Sequence, residues 1–245
     1  MKNMKCIKGY TADKKEILSI VIPVYNEEKT VKEIIKRVKR LKLPLEKEII
    51  VIDDGSSDKS FDIIKKIKGI KIIKHTKNKG KGAAIKTSLK YLSGEILVIQ
   101  DADLELNPEE IEKIIGPIIK KKACVVYGSR SPVISDIGKT DRNPLFYIGG
   151  IVVTAITNFL YGTKLTDEPC GFKAFRTDII KEIVIKEDRF EWEPEVTAKI
   201  SKKGIKIHEV AITPNNSRTI KEGKKLRRRD GLKAIWTLIK YRFKN

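Results

Sequence analysis

Asp101-Ala102-Asp103 directly follows the apolar run Ile96-Leu97-Val98-Ile99, so the two carboxylates sit where a buried strand would emerge from a sheet. Two carboxylates one residue apart at a strand end can grip one hard cation. A divalent ion held by few protein oxygens keeps coordination sites for other oxygens, and the usual occupants are substrate phosphates. The chemistry this predicts is metal-assisted handling of a nucleoside diphosphate. A lone Asp-Xaa-Asp is also a common solvated turn, so its weight depends on what accompanies it.

The elements that must position these carboxylates show in the hydrophobic periodicity. Residues 17–22 read as an apolar strand interrupted only by Ser19, with Pro23 ending the pairing. Val31, Ile34, Ile35, Val38 and Leu41 follow at helical spacing. A second strand at 48–52 ends in Asp53-Asp54-Gly55-Ser56, and Phe61, Ile64 and Ile67 suggest another helix. A strand at 70–73, a helix over about 82–92 and the strand that delivers Asp101 continue the alternation. Asn107-Pro108-Glu109-Glu110 has the form of a helix start, with Asn107 as the capping side chain and proline in the first turn. Ile111, Ile114, Ile115, Ile118 and Ile119 supply the buried face of that helix. Repeated strand and helix units of this size predict an α/β fold with a mainly parallel sheet and helices on both faces. Ligands of such sheets bind beyond the carboxyl ends of the strands. Pro23-Val24-Tyr25-Asn26-Glu27, Asp53-Asp54-Gly55-Ser56 and Asp101-Ala102-Asp103 all fall on that edge.

A chain of 245 residues suits one large domain. It divides into an N-terminal extension (1–16), a catalytic domain (17–217) and a basic amphipathic segment (218–245) that completes the site. The net charge of +20 implies an anionic partner, although lysine enrichment is also a thermophile habit. Seven of the twelve residues from Arg218 to Arg229 are basic, which places an anion-binding stretch there. Cys6, Cys124 and Cys170 are widely spaced and, with two histidines, form no zinc pattern; a reduced compartment fits them. The N-terminus carries no signal-peptide pattern, so a cytoplasmic location is expected. Residues 143–163 are uncharged, yet Gly149, Gly150, Thr154, Thr157 and Asn158 make them a poor membrane span. They read instead as a helix that is buried or lies in the membrane interface.

The motifs together carry a family resemblance. IVIPVYNEE, VIDDGSSDKS, NKGKGAA and QDADLE, in that order, resemble the nucleotide-sugar-binding half of family 2 glycosyltransferases, which have the GT-A fold. GSR (128–130), TDEPCGFKAFR (166–176), RFEWEPEVTAK (189–199) and GKKLRRRDG (223–231) are similar to the branch making dolichyl-phosphate and other polyprenyl-phosphate sugars. The resemblance implies that Pro23, Tyr25, Glu27 and Asp53 hold the nucleoside, joined by Lys81, Asp101, Ala102 and Asp103 on the nucleotide sugar. The residues agree: Tyr25 offers an aromatic face, Asp53 can accept from a base or ribose donor, and Asn78, Gly80, Lys81 and Gly82 open a helix whose start suits phosphate. A Lys and Gly loop by itself is equally a solvated turn. Asp101, Asp103 and Glu105 are implied to hold Mg2+ or Mn2+, with Glu105 on the same side if the chain stays extended.

The reaction the resemblance implies is inverting transfer of a hexose from a nucleotide sugar to dolichyl or another polyprenyl phosphate, resting on Asp101, Asp103 and Arg130. UDP-glucose or UDP-N-acetylglucosamine is favoured slightly over GDP-mannose. Arg130, Arg218 and Lys225 match positions that meet phosphate, here the acceptor's. A phosphate acceptor is already anionic and needs no general base. A hydroxyl acceptor would need one, with Asp167 or Glu191 as candidates that are equally readable as structural pairs. Leu232, Ile235, Trp236 and Ile239 form an apolar stripe flanked by Lys233, Lys240 and Arg242, which suits a membrane-surface helix and ordinary core packing alike. Peripheral attachment to the cytoplasmic membrane face is therefore expected. A nucleic-acid-binding module would use the positive charge but leaves the acidic strand ends unexplained, so no nucleic acid is expected as partner.

Overall fold

The computed structural model describes residues 16–130, 144–213 and 227–244, with Asn215, Gly223 and Lys225. The chain alternates β1 (Ile17–Val24), α1 (Val31–Arg40), β2 (Glu46–Asp53), α2 (Ser60–Ile64), β3 (Lys71–Lys74), α3 (Lys81–Ser88), β4 (Ile96–Ile99), α4 (Ile111–Ile119) and β5 (Val125–Ser129). It continues with α5 (Pro144–Tyr161), β6 (Lys173–Arg176), α6 (Thr177–Lys181), α7 (Trp192–Lys202), β7 (Ile207–Ala211) and α8 (Arg228–Phe243). One seven-stranded sheet has the order β3-β2-β1-β4-β6-β5-β7. Only β6 runs antiparallel to its neighbours; β1, β2, β3 and β4 pair in parallel, as do β5 and β7.

Alternation along β1 divides the core between the two faces. Leu18, Ile20, Ile22 and Val24 pack under α1 and α4, where Val31, Ile34, Ile35, Ile111 and Ile114 are buried. Val21 joins Ile50, Ile52, Ile85, Trp192 and Val196 on the other face, under α3 and α7. Each such side chain contributes on the order of 2 kcal/mol through burial. Helices thus cover both faces, as the periodicity predicts.

Two local expectations are corrected. β1 does not stop at Pro23 but pairs with β2 through Val24. Val21 O accepts from Gln100 N and Val24 O from Asp54 N, so the odd residues of β1 direct their polar groups toward β4. Pairing with β4 ends at Val21 and Ile99, so the N–H that Pro23 lacks would have faced no partner strand. Asn107 does not cap the next helix; a short 3-10 turn over Pro108–Glu110 leads into α4, and the Asn107 side chain accepts from Arg37 Nη2. Cys170 is free and buried, and Cys6 lies outside the described residues.

Candidate active site

β1 changes neighbour at its carboxyl end, with β2 on one side and β4 on the other, and the next residues of each strand enclose the crevice between them. The loop after β1 is stitched to the loop after β2. Asn26, at φ 51°, donates its N–H to Ser56 Oγ at 3.0 Å and accepts from Ser57 N at 2.8 Å, while Glu27 N donates to Ser60 Oγ at 2.7 Å. The Ser-rich turn therefore serves both as an entry to α2 and as the clasp that presents Tyr25 and Glu27.

The adjacent carboxylates of Asp53 and Asp54 have opposite fates. Asp54 is consumed: it accepts from Asn78 Nδ2 at 2.9 Å, Lys79 N at 3.0 Å and Gly80 N at 2.7 Å, and its Oδ1 lies 2.6 Å from His75 Nδ1. Those bonds pin the start of α3 to the end of β2. Gly80 has φ +110°, and a Cβ there would overlap the Asp188 carbonyl, so glycine is required at the turn that delivers Lys81. Asp53 is fully buried, yet its Oδ1 has no hydrogen-bond partner and its Oδ2 has only a long contact, 3.4 Å, from Ser56 N. A buried carboxylate oxygen without a donor is costly unless a ligand supplies one.

Lys81 does not stand open as a phosphate cradle. Its ammonium lies 2.8 Å from Asp101 Oδ1, 3.0 Å from Asp101 Oδ2 and 3.0 Å from Glu193 Oε1. Burial alone would lower its pKa, but the charges of Asp101 and Glu193 outweigh it and raise it. Ala102 is buried beneath the turn. Asp103 Oδ1 accepts from Glu105 N at 3.0 Å, and Leu104 between them has φ 63°. The chain therefore turns after Asp103 rather than staying extended, and the condition for placing Glu105 beside the other two carboxylates is not met. Asn215 braces the turn, donating Nδ2 to Leu104 O at 2.8 Å.

Among the described residues no group of three His, Cys, Asp or Glu side chains is gathered to hold a metal ion. The donor set still fits Mg2+ or Mn2+ bound in the manner of nucleotide sites, where one or two carboxylates suffice and phosphates complete the shell. Asp103 would be the protein ligand, with Asp101 beside it and already sharing its charge with Lys81.

Arg130 follows β5 and is fixed on Asp167, with N at 2.9 Å and Nε at 2.6 Å from Oδ2 and Nη2 at 2.7 Å from Oδ1. Burial would raise the Asp167 carboxyl, but the Arg130 charge and hydrogen bonds outweigh it and hold it below the usual range. Glu191, the other base candidate, is paired with Lys233 at 3.0 Å. Lys225 reaches the residues expected to hold the nucleoside rather than Arg130: its Nζ contacts Glu27 Oε1 and lies 5.8 Å from the Tyr25 ring centre. Arg218 lies outside the described residues.

Two acids of the site have no counterpart in the sequence reading. Glu193, in the RFEWEPE run, completes the clamp on Lys81. Glu168 is fully buried; its Oε1 accepts from Thr197 at 2.9 Å while its Oε2 has no partner. Burial pushes its carboxyl up to about 7, with Glu193 adding to the rise and Lys173 opposing it. Lys173, itself fully buried, donates to the carbonyls of Glu168 and Cys170 and so shapes the loop leading to Gly171. The signal for both acids was the local density of charge in an apolar context, which does not say what each would face.

The profile of Glycosyl transferase family 2 matches residues 19–184. An uncharacterised protein of Methanocaldococcus jannaschii is 33% identical over 81% of the chain and 81% of its own length. The UDP-N-acetylglucosamine–dolichyl-phosphate N-acetylglucosaminyltransferase of Methanococcus voltae is 31% identical, covering 82% of this chain and 86% of that protein. Glucosyl-3-phosphoglycerate synthase from Mycobacterium tuberculosis, solved with Mn2+, UDP-glucose and phosphoglyceric acid, superposes with a TM-score of 0.71 at 20% identity, over 93% of this chain and 80% of that one. The chain belongs to glycosyl transferase family 2 and carries the GT-A fold on which the crevice between β1, β2 and β4 is built.

Proposed function

We propose that this enzyme transfers a hexose from a nucleotide sugar to the phosphate of a dolichyl or other polyprenyl lipid, with inversion at the anomeric carbon. The observation that carries the reading is the fate of the two base candidates. Asp167 is a low-pKa carboxylate locked on Arg130, and Glu191 is paired with Lys233. A hydroxyl acceptor would need an accessible base, which neither paired candidate offers and which Glu168, raised to about 7 but fully buried, does not present to a ligand, whereas a lipid phosphate arrives already ionised.

In the proposed reaction a phosphate oxygen of the lipid bonds to the anomeric carbon as the bond from that carbon to the diphosphate breaks. The electron pair leaves with the nucleoside diphosphate. Tyr25, Glu27 and the partnerless oxygen of Asp53 receive the nucleoside, beside Pro23. The Asp101–Lys81–Glu193 clamp and buried Ala102 form the floor under the diphosphate and sugar. A Mg2+ or Mn2+ ion, when bound at Asp103, supplies charge neutralisation for the leaving group. Arg130, oriented by Asp167, meets the acceptor phosphate, and Arg218 is assigned to the same anion. Lys225 stands at Glu27, where it can serve the donor's phosphates as readily as the acceptor's.

For the donor, UDP-glucose and UDP-N-acetylglucosamine lead GDP-mannose. The Methanococcus relative is named for a UDP sugar and a dolichyl-phosphate acceptor, which supports this order. The enzyme works peripherally, at the cytoplasmic face of a membrane that presents the lipid phosphate. The test is a panel of nucleotide sugars with a short polyprenyl phosphate and Mn2+, scored for lipid-linked product. One UDP sugar should dominate. Equal transfer to the dephosphorylated polyprenol would overturn the acceptor assignment.

A further inference from the structure

Lys81 stands between two glycines, and one loop presses on both. A Cβ on Gly80 would overlap Asp188 O, and a Cβ on Gly82 would overlap Glu187 O. Ala83 N donates to Asp188 O at 2.9 Å and Gly82 N to Arg189 O at 3.3 Å, so carbonyls of this loop meet two of the first amides of α3. The same loop runs on into α7, where Glu193 holds the Lys81 ammonium at 3.0 Å. Residues 187–193 thus fix the backbone that carries Lys81 and also one of the two carboxylates that hold its charge.

The loop is itself held from two directions. Glu195 on α7, fully buried, accepts from Lys186 N and Glu187 N, each at 2.8 Å. The Glu187 side chain turns the other way, to the C-terminal helix, where its Oε1 accepts from Lys240 Nζ at 2.6 Å and from the Tyr241 hydroxyl at 2.9 Å. Tyr241 is buried, so its bond to a charged acceptor is largely shielded from water. Burial would raise the Glu187 carboxyl, but the hydrogen bonds from Lys240 and Tyr241 and the Lys240 charge outweigh it and hold it below the ordinary range. α8 offers a firm anchor. The Tyr161 hydroxyl donates to Leu238 O at 2.6 Å, and Lys202 Nζ donates to the carbonyls of Tyr241 at 3.1 Å and Lys244 at 3.0 Å. Lys233 on Glu191, at 3.0 Å, adds a second tie between α8 and the loop. The Asp188 side chain, by contrast, pairs with Lys86 at the solvent surface, where such a pair contributes little.

We propose that Glu187 is a positioning residue for sugar transfer: anchored by Tyr241 and Lys240 of the C-terminal helix, it holds the 187–189 carbonyls against α3 and so keeps Lys81 between Asp101 and Glu193. The C-terminal helix in this way completes the donor site through a loop. The effect on transfer rests on the proposed reaction, but the anchoring of α3 does not depend on it.

A double-mutant cycle between Glu187 and Lys81 in the full chain tests it, together with hydrogen exchange at the Ala83 amide. Glu187→Ala should lower kcat/KM for the best UDP sugar by about tenfold or more, while the KM for a short prenyl phosphate stays unchanged. Glu187→Gln keeps an oxygen for the Tyr241 hydroxyl and should recover most of the loss; Tyr241→Phe should fall between the two. In Lys81→Ala protein, adding Glu187→Ala should cost less than about twofold more, because the two residues act through one geometry. Should Lys81→Ala transfer no sugar at all, the same cycle is read as affinity for UDP with Mn2+. Exchange at Ala83 should quicken by about tenfold in Glu187→Ala while the amides of β1 keep their wild-type rates. Additive losses in the cycle refute the proposal, and so does unchanged exchange at Ala83. If Glu187→Ala unfolds the protein, exchange quickens at β1 as well, and Tyr241→Phe, which removes a single oxygen, decides by the same two readouts. Exchange that responds as expected in a protein that transfers no sugar would overturn the proposed reaction and leave the anchoring of α3 standing.

Discussion

Gly171→Ala adds one methyl group beside the pair that floors the site. A Cβ at this position would overlap Asp101 Oδ2 and lie 2.9 Å from Lys81 Nζ. The φ of Gly171 is not positive, so alanine meets no backbone strain and the whole effect falls on those two side chains. Both crowded atoms are ends of side chains that can rotate away, so the cost in stability should be about 1 kcal/mol, the low end for overpacking. Function should suffer far more. A shift of about 1 Å in a group that positions substrate costs about 100-fold in rate, or about 2.7 kcal/mol of transition-state stabilisation. The assay is kcat/KM for the best donor with a short polyprenyl phosphate, run beside urea denaturation. Gly149→Ala in α5 is the control, because nothing lies within 4 Å of a Cβ there, no proline follows it and helix propensity should add about 0.5–1 kcal/mol of stability. If Gly171→Ala folds normally and transfers sugar within about threefold of wild type, a fixed Asp101–Lys81 pair is not part of the catalytic geometry, since threefold is only about 0.7 kcal/mol.

Asp103→Asn should abolish transfer by orders of magnitude while the protein folds normally, and wild-type turnover should cease in EDTA and return with Mn2+; turnover that persists after verified metal removal contradicts this. Arg130→Ala leaves Asp167 buried without its counter-charge and should destabilise the fold by about 3–5 kcal/mol, whereas Arg130→Ala with Asp167→Asn should regain most of that stability and none of the activity. Recovery of both in the double variant would make Arg130 purely structural. Glu168 has its carboxyl raised from 4.5 to about 7. Between those values the folded state holds a proton that the unfolded state has lost, so this group's contribution is full below about pH 4.5 and falls by up to about 3 kcal/mol as pH rises through 7. Glu168→Gln should therefore gain stability over wild type at pH 8 relative to pH 5, and a difference that does not vary with pH, measured by urea denaturation, argues against a buried titrating carboxyl.

The fold class and the edge that bears the site are local properties, and the sequence determined both. Strand runs such as residues 96–99, the helical spacing of Val31, Ile34, Ile35 and Val38, and the placing of Tyr25, Asp53 and Asp101 at or just past strand ends follow from side-chain period and turn chemistry, which act over a few residues. What the sequence did not determine is how charges separated along the chain would pair. Asp53 and Asp54 are neighbours of the same type, yet only the packing of the α3 loop onto β2 spends Asp54 on Asn78, Lys79 and Gly80 and leaves an oxygen of Asp53 without a hydrogen-bond partner. Lys81 looked like an open phosphate ligand until α7 brought Glu193 to its other side, and Glu105, implied by the resemblance to share the metal with Asp103, was set on the same side by supposing an extended chain, which Leu104 turns. The apolar stripe of α8 fitted core and interface equally, because periodicity identifies a face without saying what covers it. The tertiary structure decided that question, packing α8 on α5 and α7 through Leu238 and Tyr241 and leaving Trp236 in the open. Pairing and burial depend on contacts between residues far apart in sequence, and those distances are set by how the whole sheet and its helices pack.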